Sequence, residues 1–359
     1  MCGGRTAHPL LISLANVKMA VRNKGSSHVF LLLALMPIIK FTHPVTWMRS
    51  VLDAHLFHQC LDIILEPLKQ ATRIGHMMSD PTGNLWYCFT PLVSYIANTP
   101  EACMLACMRG LTSLVTMASY KNFGDSDQHL PHTTAITLAQ LTIVMDYCNP
   151  NDVNTFFAVC KQFHLSGISY PFWHNWPLAE PSCFLTPEGL HHWLCEFWDH
   201  DFTWCMWALD DVKLDFWFSI LPPITSLCHF SSGVTKLKQM TGWAQQDILC
   251  YIVAIIAGTA DQSIITVIRT LVIFWYFFQA PHILMTTRDK IQSALIEFHD
   301  HKHTILAGGL CHGQITSALL DHWQILKLEL MLNVVLSIEQ VGSPTVVCRY
   351  NGACAYWSC

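Results

Sequence analysis

Side chains that can bind metal ions or transfer protons are concentrated in residues 170–211, which also hold six of the chain's 13 tryptophans. Within this stretch a helix is predicted from Thr186 to about Leu209. The Thr186 hydroxyl can cap the free backbone N–H groups of a first turn, and Pro187 suits the first helical position. Glu188 then lies at the positive end of the helix dipole, where a carboxylate is stabilising.

One face of this predicted helix carries His192, Glu196 and His200 at successive four-residue steps. Imidazole and carboxylate groups in this spacing could bind a divalent metal ion or transfer a proton. The same spacing also arises on an ordinary polar helix side whose imidazoles hydrogen-bond to their neighbours. Asp199 and Asp201 are further candidate ligands, but only one of them can face a given site because residues two apart point in different directions on a helix.

Two more acids are candidate catalytic residues, and each has a structural alternative. Glu188 could act as a catalytic acid, or it could simply stabilise the start of its helix. Asp80 lies in the sequence SDPTG, where Asp-Pro followed by Gly is also typical of an ordinary turn.

The elements that would position these residues divide the chain into an α/β part and a helical part. The apolar run 29–39 predicts a strand buried on both faces of a sheet, and 43–74 predicts a helix, so residues 1–110 are expected to form an α/β unit. Residues 111–133 predict a loop or domain boundary. The helical patterns that follow predict a larger, mainly helical region over residues 134–338.

The composition limits the classes of partner. Charged residues make up only 13% of the 359-residue chain, its mean hydropathy is +0.33 and its formal net charge is −5. A chain of this charge lacks the broad basic face of a self-sufficient nucleic-acid binder. The 16 cysteines are scattered along the chain, which predicts reduced and mostly buried thiols.

One strongly apolar stretch, residues 249–280, raises the question of a membrane span. Asp261 and Gln262 interrupt it and Arg269 lies within its second half, so neither half offers a clean apolar run of about 18 to 20 residues. The prediction is a buried helical hairpin. A membrane-associated protein that uses this stretch remains an alternative.

Segments spread in order along most of the chain carry a family resemblance. They read HPLLISLANV (8–17), LFHQCLDIILEPLK (56–69), MMSDPTGNLWYCFTPLVSYIANTPE (77–101), VTMASYKNFGD (115–125), PFWHNWPLAEPSCFLTPEGLHHWLCEFWDHDFTWC (171–205), GVTKLKQMTG (233–242), EFHDHKHTIL (297–306) and KLELML (327–332). They resemble the Plavaka-type transposases, a fungal family related to the CACTA group of cut-and-paste DNA transposons.

The resemblance implies an RNase H-like α/β core with a helical insertion, in which three carboxylates hold two Mg²⁺ or Mn²⁺ ions for attack on phosphodiesters. It also implies that the partner is DNA, at transposon ends, rather than a small-molecule substrate, and that the protein acts in the nucleus.

This chain departs from the family pattern at its acidic positions. The family's first acidic motif lies just upstream of the segment matching His8, and here only MCGGRTA precedes it, without an acid. Asn98 stands where the family has an aspartate, and an amide cannot supply the negative charge that a carboxylate gives Mg²⁺. No complete catalytic set is therefore expected, and the candidate remnants are Asp80, Glu188, Asp199 and Asp201.

The end of the chain departs as well. The family continues with Trp-Ser-Ala-Asp-Ile-Thr-Glu-His-Ala-His, and one choice of codons for residues 348–359, read one frame over, gives part of that tract. A frameshift is thus predicted, which makes residues 339–359 an aberrant tail.

The expected function is that of a degenerate, inactive derivative of a DDE-type DNA transposase, with an incomplete RNase H-like unit before a larger helical region. One alternative is a non-enzymatic helical module that contacts DNA or protein through Lys236, Lys238 and the tryptophan-rich helix. The other is the membrane-associated protein that uses residues 249–280.

Overall fold

A computed structural model describes residues 6–22, 24–185, 189–237, 240–280, 282–313 and 317–342. Over these residues the fold is mixed α/β and predominantly helical, as predicted, with two small antiparallel sheets. The strands are β1 (Ala7–Ile12), β2 (Leu31–Pro37), β3 (His76–Ser79) and β4 (Leu85–Cys88). The α-helices are α1 (Met19–Arg22), α2 (Thr46–Ile74), α3 (Thr99–Leu105), α4 (Thr134–Tyr147), α5 (Val153–Cys160), α6 (Pro181–Phe184), α7 (Phe202–Leu209), α8 (Asp211–Ser219), α9 (Gly242–Ile256), α10 (Gln262–Phe278), α11 (Met285–His301), α12 (His303–Ala307), α13 (Leu326–Leu332) and α14 (Val334–Val341).

The described residues fall into two compact units. The first comprises residues 6–119 and 129–185, and the second comprises residues 120–128 and 189–342. Residues 111–133, which the sequence predicts as a loop or boundary, contribute to both units.

The first unit contains both sheets, each of which has two antiparallel strands. Strand β2 forms where the apolar run predicts it, but burial on both faces is wrong. Leu31, Leu32 and Leu35 are 62%, 58% and 63% exposed. The reason is that β2 pairs only with β1 among the described strands. A strand is buried on both faces when its sheet lies between two layers of helices, and this two-stranded sheet does not.

Helix α2 organises the core of the first unit. Its His58 is fully buried, with Nδ1 accepting from the Phe172 N–H and Nε2 lying 3.1 Å from the Met104 carbonyl oxygen. The buried Lys69 ammonium donates to Asp62 and, at 2.8 Å, to the Asn175 side chain. These bonds fix the segment that follows Tyr170 against α2, so its aromatic side chains pack in the core of this unit.

The core of the second unit contains the apolar stretch 249–280. It forms α9 and α10, as the hairpin prediction expects, and Phe274 and Phe278 of α10 meet Trp193 edge-on at ring-centroid distances of 5.7 and 5.6 Å. Arg269 of α10 forms an ion pair with Glu297 of α11. No helix in the described part of the chain is both long and apolar enough to cross a membrane.

One segment within the predicted helical region 134–338 forms turns instead. Over residues 232–237 the carboxylate of Asp215 accepts from the N–H groups of Val234 and Thr235 at 2.7 and 2.8 Å and from the Thr235 hydroxyl. Gly233 takes a φ of +80°, which helices do not use, and a Cβ there would lie 2.2 Å from the Asp215 Cγ. A distant side chain therefore captures the donors that a helix would have needed.

Candidate acidic site of the tryptophan-rich helix

The tryptophan-rich helix exists, but most of it is not an α-helix. Residues Gly189–Leu194 and Phe197–Asp201 form π-helical turns, and the α-helix α7 follows them. A π-helix bonds i to i+5 and occurs frequently at functional sites. The four-residue steps that relate His192, Glu196 and His200 therefore do not describe one face of the actual helix.

The π-helical turn brings Glu196 and Asp201 together instead, five residues apart. Their side chains share a hydrogen bond, and they are only 1% and 2% exposed. One oxygen of each carboxyl group, Oε1 of Glu196 and Oδ1 of Asp201, is buried without a hydrogen-bond partner. Two acids in this position are compatible only if the pair holds a proton, because two buried like charges in contact repel.

The surroundings of this pair are apolar. Both acids line a cavity of about 10 Å³, whose other walls are the side chains of Trp193, Phe197, Leu249, Leu271, Phe274, Trp275 and Met331. A cavity needs roughly 10 to 15 Å³ to hold one water molecule, so this one has no room for a hydrated metal ion.

Burial dominates the protonation of the pair. It raises the pKa of Glu196 to about 7, against the opposing influence of the Lys327 charge. Burial, and next the charge of Glu196, raise the pKa of Asp201 well above its ordinary value. Near neutral pH the pair therefore holds a proton, and one protonated carboxyl group is hydrogen-bonded to the other carboxyl group. A protonated pair does not favour cation binding.

The other ligand-type side chains of this helix have separate surroundings. Asp199 forms an ion pair with Lys327 of α13, with Nζ and Oδ2 3.1 Å apart. His200 lies beside Trp204, and burial together with the Lys327 charge lowers its pKa to about 4. His192 is buried, with its ring tilted against Trp193.

Asp80 lies in the first unit, in the exposed turn between β3 and β4. It accepts hydrogen bonds from the backbone and side chains of Thr82 and Asn84, and Oδ2 accepts from the Trp86 indole N–H at 3.0 Å. These bonds hold its pKa well below the ordinary value. The carboxylate thus organises its own hairpin, which is the structural alternative predicted from the sequence.

Three further candidate residues lie at the edges of the described ranges or outside them. Glu188 and Lys238 lie outside the described residues. Lys236 lies in an exposed turn after α8, where its charge helps to lower the pKa of Asp215.

The residues present do not fit the paired divalent ions that the resemblance implies. Within the described ranges no three His, Cys, Asp or Glu side chains form a group that could hold a metal ion. Glu196 and Asp201 have unpartnered oxygens, but apolar side chains enclose them and no third ligand joins them. No chemical step through a metal ion can be built on this set.

Sequence reasoning missed two features of this arrangement, the ion pair of Lys327 with Asp199 and the contact between Glu196 and Asp201. Lys327, which pairs with Asp199, lies 128 residues away and has no local signal. The Glu196–Asp201 pair could have been found by testing five-residue as well as four-residue spacings within the unusually aromatic segment.

Comparison with known proteins gives one match. Residues 1–205 match the family model described as Plavaka transposase. This region is more than half of the chain, and it ends within α7, just after the Glu196–Asp201 pair. None of the curated proteins and none of the solved structures matches the chain.

Proposed function

Because the chain belongs to the Plavaka transposase family, we propose that it is a transposase-derived protein that binds transposon-end DNA without metal-dependent strand cleavage. The proposal includes a partial RNase H-like unit in the N-terminal half and action on DNA in the nucleus, both of which rest on the family.

One observation carries the loss of cleavage. Glu196 and Asp201 of the tryptophan-rich helix are enclosed by apolar side chains and share a hydrogen bond. Two-metal phosphodiester cleavage requires ionised carboxylates that face both the ions and the DNA phosphate. A protonated pair inside a core meets neither requirement.

Two other candidate remnants, Asp199 and Asp80, support the same conclusion. Asp199 is neutralised by Lys327, and Asp80 is engaged by its own hairpin. Each of these carboxylates has a structural role that accounts for its position without a metal ion.

DNA binding without cleavage requires positive groups that reach the phosphates, since phosphate contacts dominate affinity. Lys236 is exposed in the second unit and is a candidate for such a contact. Each phosphate contact releases counterions from the DNA, so we expect retention to weaken as salt rises.

The test uses the full chain and labelled DNA that carries transposon ends, with Mg²⁺ or Mn²⁺. We expect salt-sensitive retention of the DNA and no cleavage product. Lys236→Gln should weaken retention, whereas Lys213→Gln, which removes another exposed lysine of the second unit, is the matched control.

Two outcomes would overturn the proposal. The first is a cleavage product that Glu188→Gln, Asp199→Asn or Asp201→Asn abolishes while the exposed control Asp321→Asn leaves it unchanged. The second is failure of the full chain to retain the DNA at low salt.

A further inference from the structure

The second unit contains a larger pocket, distant in sequence from the tryptophan-rich helix. It has a volume of about 290 Å³ and is lined by Lys121, Gly124, Asp125, His322, Trp323 and Gln324. Pockets for small ligands start at roughly 300 Å³, so this one lies at the lower limit for a small ligand.

The indole of Trp323 is the aromatic wall of this pocket, and its position is fixed. Trp204 meets it edge-on at a centroid distance of 5.6 Å, and Phe298 does so at 6.4 Å. Gly124 allows this placement because a Cβ at that residue would lie 2.3 Å from the Trp323 Cβ. A rigid aromatic wall can bind a planar ligand without an ordering cost.

Two cations lie at the pocket. Lys121 is an exposed lining residue, and its Nζ lies 5.9 Å from the Tyr120 ring centroid. Lys302 lies beneath the lining with Nζ 6.0 Å from the Trp323 ring centroid, where it donates to the Gly124 carbonyl oxygen and lies 2.7 Å from the His299 Nδ1. The pocket therefore combines an aromatic ring, on which a planar group can stack, with the Lys121 ammonium, which can pair with a phosphate, and it also contains the Asp125 carboxylate.

Polar groups complete the lining. The Asp125 carboxylate offers acceptors, and its Oδ2 already accepts from the Asn122 amide at 3.2 Å. Gln324 offers both a donor and acceptors, and it is exposed. His322 has its Nδ1 buried without a hydrogen-bond partner, so the ring gains a bond by turning this nitrogen toward a bound acceptor.

We propose that this pocket binds one nucleotide, with the base against the Trp323 indole and the phosphate at Lys121. Asp125 and Gln324 then meet the polar edge of the base, since together they can accept from and donate to it. The ligand chemistry is a planar base joined to a phosphate, and its source is either a free nucleotide or an unpaired nucleotide of a DNA strand. The inference deepens the proposed DNA function and rests on it.

The test is photo-crosslinking of the full chain with 4-thiothymidine 5′-monophosphate, and separately with a short single-stranded oligothymidylate that carries one 4-thiothymidine. A duplex of the same length, with the 4-thiothymidine paired, is the third probe. We expect a saturable crosslink that maps to residues 321–324 with at least one of the first two probes, and little with the duplex. The probe that saturates at the lower concentration identifies the source of the nucleotide.

Variants decide whether the pocket is responsible. Trp323→Leu should weaken binding roughly tenfold, because stacking of a base on an aromatic side chain contributes that much or more. Lys121→Gln should weaken binding and reduce its salt dependence. The matched controls, Trp243→Leu at an indole that is 64% exposed and Lys213→Gln, should leave it unchanged.

Trp323 also packs against Trp204 and Phe298, so Lys121→Gln and Gln324→Ala, at exposed residues, keep the test valid if the Trp323 variant fails to fold. The proposal is overturned if neither nucleotide probe crosslinks, if the crosslink maps elsewhere, or if both exposed variants bind like the unaltered chain. Retention of duplex transposon ends without a nucleotide crosslink would refute the pocket alone. Loss of duplex retention with an intact crosslink would refute the proposed function while the pocket stands.

Discussion

The buried Glu196–Asp201 pair predicts that the second unit is destabilised as pH rises. The folded state holds a proton on Glu196 up to a pKa of about 7, compared with 4.5 for an ordinary glutamate. Since the folded pKa is the higher one, the stabilisation is fully present below about pH 4.5 and is lost as pH rises through about 7. With each pKa unit equivalent to about 1.4 kcal/mol, the loss is on the order of 3 kcal/mol.

The perturbation that isolates this effect is Glu196→Gln, which keeps a neutral polar side chain of the same size at every pH. We expect the variant to gain in free energy of unfolding, relative to the unaltered chain, by on the order of 3 kcal/mol between pH 5 and pH 8. Urea unfolding followed by tryptophan fluorescence at both pH values measures this difference. Comparing each variant with the unaltered chain at the same pH cancels contributions from other titrating groups.

Glu339→Gln is the matched control, because Glu339 lies on α14 with an exposed carboxylate that pairs with Arg288. It should show no comparable change between the two pH values. An equal stability difference between Glu196→Gln and the unaltered chain at pH 5 and pH 8 would show that burial does not raise the pKa of Glu196.

Three further predictions follow from local geometry. Gly233→Ala should destabilise the second unit by about 2 kcal/mol or more in urea unfolding, because the φ of Gly233 is +80° and the new Cβ would collide with Asp215. The control is Gly83→Ala, where φ is +89° but the space is open. This control should lower the free energy of unfolding by only about 1 kcal/mol. Burial lowers the pKa of His58 to about 4, so the first unit should lose stability as pH falls from about 6.5 toward 4. The His58→Gln variant should remove most of that loss. If its free energy of unfolding falls with acid as much as that of the unaltered chain, His58 is not a buried neutral imidazole. Asp80→Ala should speed amide hydrogen exchange in the β3–β4 hairpin without altering DNA retention, and unchanged exchange would show that the carboxylate does not organise the turn.

Much of the helical framework could be predicted because its signals are local. Helix α4 begins after Thr133, whose hydroxyl accepts from the Ile136 N–H, and α3 begins after Asn98, whose side chain accepts from the Glu101 N–H at 2.9 Å. Caps and apolar periodicity lie within a few residues of the elements that they specify.

The parts that could not be predicted depend on residues far apart in sequence. The turns at 232–237 form because Asp215 captures their donors, and the 290 Å³ pocket requires residues 121–125 to meet residues 322–324. A single-sequence pattern contains no information about such contacts.

The grouping of residues in the candidate site could not be predicted for a different reason, which is helix type. Helical-wheel reasoning assumes the α-helical period, and that period groups His192, Glu196 and His200. The π-helical turns replace this grouping with the Glu196–Asp201 pair, and dense aromatic packing around Trp193 then encloses both acids. The chemistry of the residue types was visible in the sequence, whereas their exposure was not.

The central claim is that Glu196 and Asp201 are core acids and not metal ligands. The most direct measurement is Mn²⁺ binding to the full chain by electron paramagnetic resonance at pH 7, compared between the unaltered chain, Glu196→Gln and Asp201→Asn. We predict the same amount of bound Mn²⁺ in all three, because neither carboxyl group contacts the ion. Loss of one equivalent of bound Mn²⁺ in either folded variant would contradict the account.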